Sequence, residues 1–147
     1  MSVDGSSSGV CIVWERSGFW GVHLKQMLRG TGIVVQRCAS SAECWQRLEQ
    51  RPASILMLVA GQARLQQAFE LLCSTGWRFP DARALVVLPR GNEQQGWWLR
   101  EVGAIHVIHS IRELSAAVRI VRRHVAQAPP IEMPWIERVY AGLPWSA

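Results

Sequence analysis

A chain of 147 residues is long enough for one domain with a sizeable core, and an apolar content of 49% argues against disorder outside the ends. No apolar run approaches the roughly 20 residues of a membrane-spanning helix, and "MSVDGSSSGV" lacks the basic and apolar regions of a secretory signal. Residues 1–9 therefore read as a short flexible leader, and a cytoplasmic location is expected. The net charge of +5 permits contact with acidic partners or nucleic acid without establishing either.

The first predicted element is a buried strand, "VCIVW" at 10–14, followed by the loop "ERSGFWG". A helix follows in "VHLKQMLRG", with Val22, Leu24, Met27 and Leu28 at helical spacing and Gly30 and Gly32 at its end. "IVVQRCA" reads as the second strand. "SSAECWQRLEQRP" reads as a helix with a serine cap, Glu43 close behind it, and Ala42, Trp45 and Leu48 on one stripe; Pro52 stops it. "SILMLVA" is apolar throughout, as a strand covered on both faces must be.

A helix is expected from about Arg64 to Ser74, with Leu65, Ala68, Phe69 and Leu72 inward, and "TGWRFPDAR" as a loop. "ALVVL" is the fourth strand, closed by Pro89, Arg90 and Gly91. "NEQQGWWLREV" is a helix with Asn92 as its cap, and "GAIHVIHS" is the fifth strand. The last helix, "IRELSAAVRIVRRHVAQA", turns Leu114, Ala117, Val118, Val121 and Val125 to one side. Strands alternating with helices over 10–127 predict a doubly wound α/β domain with a parallel five-stranded sheet in three α/β/α layers. The remainder, 128–147, is a tail rich in proline and aromatic residues. In such sheets ligands bind beyond the carboxyl ends of the strands, which makes the residues just after each strand the candidates for chemistry.

The alternation, the length and the segment "EVGAIHVIHSI" resemble a response-regulator receiver (CheY-like) domain over residues 10–126. The resemblance implies a flavodoxin-like sheet in the order 2-1-3-4-5. It also implies a phosphoryl-transfer site: an acidic pair holding Mg²⁺ after the first strand, an aspartate nucleophile ending the third, a hydroxyl after the fourth and a lysine after the fifth. Carried over position by position, the acidic pair falls on Glu15 and Arg16, and the nucleophile on Val59, or on Ala60 one place later. The hydroxyl falls on Pro89, the lysine on Ser110, and the aromatic switch residue of the fifth strand on Val107. One carboxylate of the set remains, so the reading is a degenerate receiver without aspartyl phosphorylation, catalysis, metal or cofactor.

Other metal or nucleophile arrangements find no support in the spacing. Cys11, Cys38, Cys44 and Cys73 form no C-x-x-C pair, and His106 and His109 fall on opposite faces of a strand. What remains is surface. Trp97 and Trp98 are adjacent on one helix; Trp98 is expected to flank the core beside Val102 and Trp97 to face outward as an interface anchor. The family's docking face, formed by the fourth helix, fifth strand and fifth helix, would include Val107, Arg119 and Arg123. The tail adds Trp135, Tyr140 and Trp145 as contacts to its own domain, to a second copy or to a protein partner. The expectation is a regulatory module that binds protein, itself included, as in a homodimer. The alternative is a nucleic-acid-associated regulator using Arg112, Arg119, Arg122 and Arg123 of the last helix, although no nucleic-acid-binding motif is visible. A third reading is a small-ligand pocket at the old phosphorylation site, lined by Trp14, Glu15, Phe19 and Trp20 on one side and by Val59, Pro89 and Ser110 on the other.

Overall fold

A computed structural model describes residues 9–91 and 93–128, apart from the side chain of Gln62. The helix cap expected at Asn92 and the tail residues Trp135, Tyr140 and Trp145 lie outside the described residues. Strands β1 (Val10–Trp14), β2 (Val34–Cys38), β3 (Ile55–Val59), β4 (Arg83–Val87) and β5 (Ala104–Ile108) form one parallel sheet in the order β2-β1-β3-β4-β5. Helices α1 (Phe19–Met27), α2 (Ser41–Gln50), α3 (Leu65–Arg78), α4 (Glu93–Glu101) and α5 (Leu114–Gln127) connect them, with short 3₁₀ turns at Gln62–Arg64 and Ile111–Glu113.

The period-2 geometry of the strands divides the core into two layers. Ile12, Trp14, Leu56, Leu58 and Val86 pack against Cys44 and Leu48 of α2, Ala68, Leu71 and Leu72 of α3, and Leu99 of α4. Cys11, Val13, Ile55, Met57 and Leu85 pack against Leu24 and Leu28 of α1 and Leu114, Ala117, Val118 and Val121 of α5. The central strands β1 and β3 are buried on both faces, and burial of each large aliphatic side chain contributes about 2 kcal/mol.

Local chemistry sets the helix starts. Ser40 caps α2: its Oγ accepts the Glu43 N–H at 3.2 Å, while Glu43 Oε1 accepts the Ala39 N–H at 2.9 Å. This reciprocal pair follows the serine and glutamate read from the sequence. The inward stripe of α2 differs, however: Cys44 and Leu48 are buried and Ala42 is exposed.

Helix α3 runs four residues past its expected end at Ser74, through Gly76 to Arg78. Packing outweighs the weak propensity of the Thr-Gly pair. Thr75 is buried, Phe79 stacks on Trp45 with ring centroids 6.1 Å apart, and the Arg78 guanidinium lies 4.7 Å from the Trp45 ring and pairs with Glu49 at 3.7 Å. Phe69, expected inward, is partly exposed, and Leu71 takes its place in the core. No helix among the described residues is long and apolar enough to cross a membrane.

Candidate functional site

The carboxyl ends of the strands gather the residues that the sequence singles out. Glu15 and Arg16 follow β1, Val59 ends β3, Pro89 lies just beyond β4, and Ser110 lies just beyond β5. Leu88 and His109 tie the last two ends together: the Leu88 N–H donates to the Ile108 carbonyl at 2.9 Å, and His109 Nδ1 lies 3.2 Å from the Leu88 carbonyl. Val59 and Ala60 are apolar, and Pro89 has neither a hydroxyl nor an N–H to offer. The Ser110 hydroxyl is buried without a hydrogen-bond partner.

Glu15 is 1% exposed, and its carboxylate points into the start of α1. Oε1 accepts the Trp20 N–H at 3.0 Å, and Oε2 accepts the Gly21 N–H at 2.7 Å. These are two of the N–H groups that open a helix without an intrahelical acceptor. The residue at the cap position, Gly18, has φ 84° and supplies no side-chain bond. Glu15 thus does the work of a cap from three residues upstream, with a negative charge at the positive end of the helix. Gly21 makes room for it, since a Cβ there would stand 2.8 Å from Oε2. This local anion is why α1 begins at Phe19, three residues before the start expected from apolar spacing.

Arg64 is the residue that sequence reasoning missed. It is 9% exposed and lies across the ends of three adjacent strands. Its guanidinium stacks 3.8 Å from the centroid of the Trp14 indole on β1, and its Nη2 donates to the Ala39 carbonyl beyond β2 at 2.7 Å. Nε reaches Gln67 Oε1 at 3.5 Å, and Nη1 is buried with no partner. Burial first, and then the nearby charge of Arg16, hold the Arg64 pKa below its ordinary value. Trp14 is fully buried, with the Arg64 guanidinium laid over its indole. Both Glu15 oxygens are committed to backbone N–H groups, and the next residue is the cation Arg16; this set does not fit Mg²⁺, which takes oxygen ligands and is repelled by cations. Among the described residues, no group of three or more His, Cys, Asp or Glu side chains is placed to hold a metal.

Beside Arg64, the Cys38 thiol is held below its ordinary pKa by a hydrogen bond from Cys44, with Arg47 and Arg64 acting in the same direction, and the Cys44 thiol is pushed up. Cys73 is exposed and Cys11 buried.

The predicted surface residues divide. On α4, Trp97 is 59% and Trp98 56% exposed, with ring centroids 5.6 Å apart in an edge-to-face pair at 86°. Trp98 therefore does not flank the core as expected. The inward direction of α4 is set by Gly96 and Leu99, and both tryptophans lie about 130° from the midpoint of those two at 100° per residue. Gly96 faces the sheet, where an added Cβ would make ordinary contacts with Val107 at 3.4 Å and Leu88 at 3.6 Å. Val107, expected on the docking face, lies beneath that contact at 3% exposure and is core. Ile105 is instead the exposed apolar residue of β5, an edge strand. Arg119 and Arg123 are exposed on α5. Trp77, 87% exposed near the end of α3, went unnoticed because its segment read as a loop.

Comparison with known proteins adds to this geometry. No protein-family model matches the chain, and no curated protein matches it. Solved structures do. A response regulator from Thermotoga maritima is 16% identical, with a TM-score of 0.68 over 82% of this chain and 99% of that one. A CheY-like protein (tadZ) from Pseudomonas aeruginosa PAO1 is 16% identical, with a TM-score of 0.64 over 77% of this chain and 98% of that one. A putative pilus assembly-related protein from Burkholderia pseudomallei K96243 is 20% identical, with a TM-score of 0.62 over 90% of this chain and 98% of that one. The strand order and these likenesses together place the chain in the flavodoxin-like, CheY-like receiver fold.

Proposed function

We propose that the chain is a receiver-like regulatory module that is not phosphorylated on aspartate and acts by binding protein, with self-association through the α4–β5–α5 face as the principal mode. The observation that carries the reading is the exposed Trp97–Trp98 pair on α4, with Ile105 exposed as well on the edge strand β5. Large aromatic side chains in water are costly to leave uncovered and are the residue type most enriched at binding hot spots. Gly96 and Leu99 are the buried residues of α4, and more than half of each indole is left open to another surface. The segment 128–147, with Trp135, Tyr140 and Trp145, supplies further contacts in this reading. Val59, Pro89 and Ser110 at the strand ends support the loss of phosphoryl transfer, because none offers the carboxylate, the exposed hydroxyl or the ammonium that the reaction uses.

The test is sedimentation equilibrium of the full chain and of Trp97→Ala. Truncating one hot-spot indole costs about 2 kcal/mol or more, on the order of a 30-fold weaker self-association. A chain that stays monomeric at every concentration, together with an alanine variant that recovers the same partners from affinity purification, would remove the basis of the proposal.

A further inference from the structure

Strand β2 stands at one edge of the sheet, with β1 as its only neighbour among the described residues. In a parallel ladder the backbone groups of a strand alternate between its two sides. The Val34 N–H donates to the Gly9 carbonyl at 2.9 Å, and the Cys38 carbonyl accepts the Glu15 N–H at 3.0 Å. In the register Val10↔Val34 to Trp14↔Cys38, the backbone groups of Val34, Gln36 and Cys38 therefore face β1. Those of Val35 and Arg37 face outward and have no hydrogen-bond partner among the described residues.

The same two residues line a groove of about 260 Å³ between β2 and α1, where Gly18, Gly21, Val22 and Lys25 form the other wall. Val22 is exposed, and neither Lys25 nor Arg37 has an ion pair among the described residues. Unpaired backbone groups, an apolar wall and two cations suit an extended segment that carries apolar and acidic side chains on one face. A second copy of β2 is a poor match, because two-fold pairing would set Arg37 and Lys25 against their own copies.

The chain itself carries a matching segment within reach. Helix α5 lies on the same face of the sheet as α1 and ends at the amino edge: His124 Nε2 is 2.6 Å from the Ala53 carbonyl before β3, and Val125 lies against Gly9 before β1. The outer side of β2 is two strand spacings from β1, about 10 Å. Residues 128–134 can span about 23 Å when extended, so the chain beyond α5 reaches it. There it reads "PWIERVY" at 134–140, rich in residues that favour strands, with Trp135 and Glu137 two apart.

We propose that residues 134–138 add to β2 as a sixth, parallel strand, with Trp135 beside Val35 and Glu137 beside Arg37 on the groove side. In this register the Val35 N–H donates to the Pro134 carbonyl and the Ile136 N–H to the Val35 carbonyl. The Arg37 N–H donates to the Ile136 carbonyl and the Arg138 N–H to the Arg37 carbonyl. Pro134 serves only as an acceptor, so its missing N–H costs nothing. Trp135 covers the apolar wall, and Glu137 meets the charges of Arg37 and Lys25. Tyr140 and Trp145 lie beyond this register and stay available to a partner.

The test is amide hydrogen exchange of the full chain, followed by nuclear magnetic resonance. The Val35 and Arg37 amides are expected to be protected, and Ile136→Pro, which removes a donor outside the folded core, lowers their protection by about tenfold or more. The Gln36 amide, which faces β1, stays protected in both proteins. Glu137→Lys sets a third cation beside Arg37 and Lys25 and lowers protection about threefold, an effect that shrinks in high salt. Val35 and Arg37 amides that exchange as in an unstructured chain, or protection that survives Ile136→Pro, would overturn the proposal. Protection that fades on dilution assigns the edge to a second copy and overturns it equally. None of these results depends on the Trp97–Trp98 surface at the other end of the sheet, so the two proposals stand or fall separately.

Discussion

Replacing Glu15 by alanine removes the one carboxylate that accepts from the first turn of α1. Two N–H groups, those of Trp20 and Gly21, lose acceptors at 3.0 and 2.7 Å in a buried setting. Hydrogen bonds to a charged group are each worth about 1.5–3 kcal/mol, and burial denies the orphaned donors full compensation by water. The expected loss is about 3–5 kcal/mol, which is a large share of the 5–15 kcal/mol typical of a domain. Glu15→Gln keeps the shape and one acceptor oxygen but sets an NH₂ against a backbone N–H and removes the charge from the helix start; about 2 kcal/mol is expected. Urea unfolding followed by circular dichroism reads this directly. With m near 2 kcal/mol/M, the midpoint falls by about 2 M for alanine and about 1 M for glutamine, with m unchanged. A glutamine variant as stable as the parent would refute the reasoning. So would a parent whose midpoint rises on addition of Mg²⁺, because that would make Glu15 a metal ligand rather than a helix cap.

Two glycines in helices are expected to respond in opposite directions. Gly21→Ala places a Cβ 2.8 Å from Glu15 Oε2 and displaces the carboxylate, for a loss of about 1–2 kcal/mol, whereas Gly96→Ala meets ordinary contacts from 3.4 Å outward and gains helix propensity, so stability is unchanged or rises by up to about 1 kcal/mol; both are read from the same urea curves. Burial pushes the Cys11 thiol up to about 12. A pKa raised on folding stabilises below the unfolded value of about 8.5 and loses that contribution as pH climbs toward the folded one. Cys11 should therefore stay unalkylated in the folded chain at pH 9 while the exposed Cys73 reacts, and stability should decline between pH 9 and 12; alkylation of Cys11 at the rate of Cys73 would contradict its burial.

The fold was legible because it rests on patterns that the sequence carries openly. Runs such as "VCIVW" and "ILMLV" read as doubly covered strands, and the Ser40–Glu43 pair marks the start of α2. What was not legible depends on contacts distant in sequence. Nothing in "ERSGFWG" announces that Glu15 reaches over a left-handed Gly18 to cap α1, because the acceptors of a helix start are normally sought at the cap residue itself. Arg64 read as the first residue of a helix; its role follows from the adjacency of β2, β1 and β3, which brings Ala39 and Trp14 within its reach. The extension of α3 to Arg78 depends on Trp45, some thirty residues earlier. The placement of Trp98 turned on treating Leu99 and Val102 as the inward pair when Gly96, which has no side chain to count, sets the closer face. The tail, by contrast, was read from composition alone, and its three aromatic residues lie outside the described region.

Incubation of the purified full chain with acetyl phosphate and Mg²⁺, followed by denaturing mass spectrometry, tests most directly whether this receiver fold has left aspartyl chemistry behind. Denaturation releases any ion held without a covalent bond, so covalent transfer alone is recorded. An unchanged mass is the predicted outcome. A gain of one phosphoryl group would contradict the account, because that chemistry needs a carboxylate nucleophile at the end of β3, where the chain carries Val59 and Ala60.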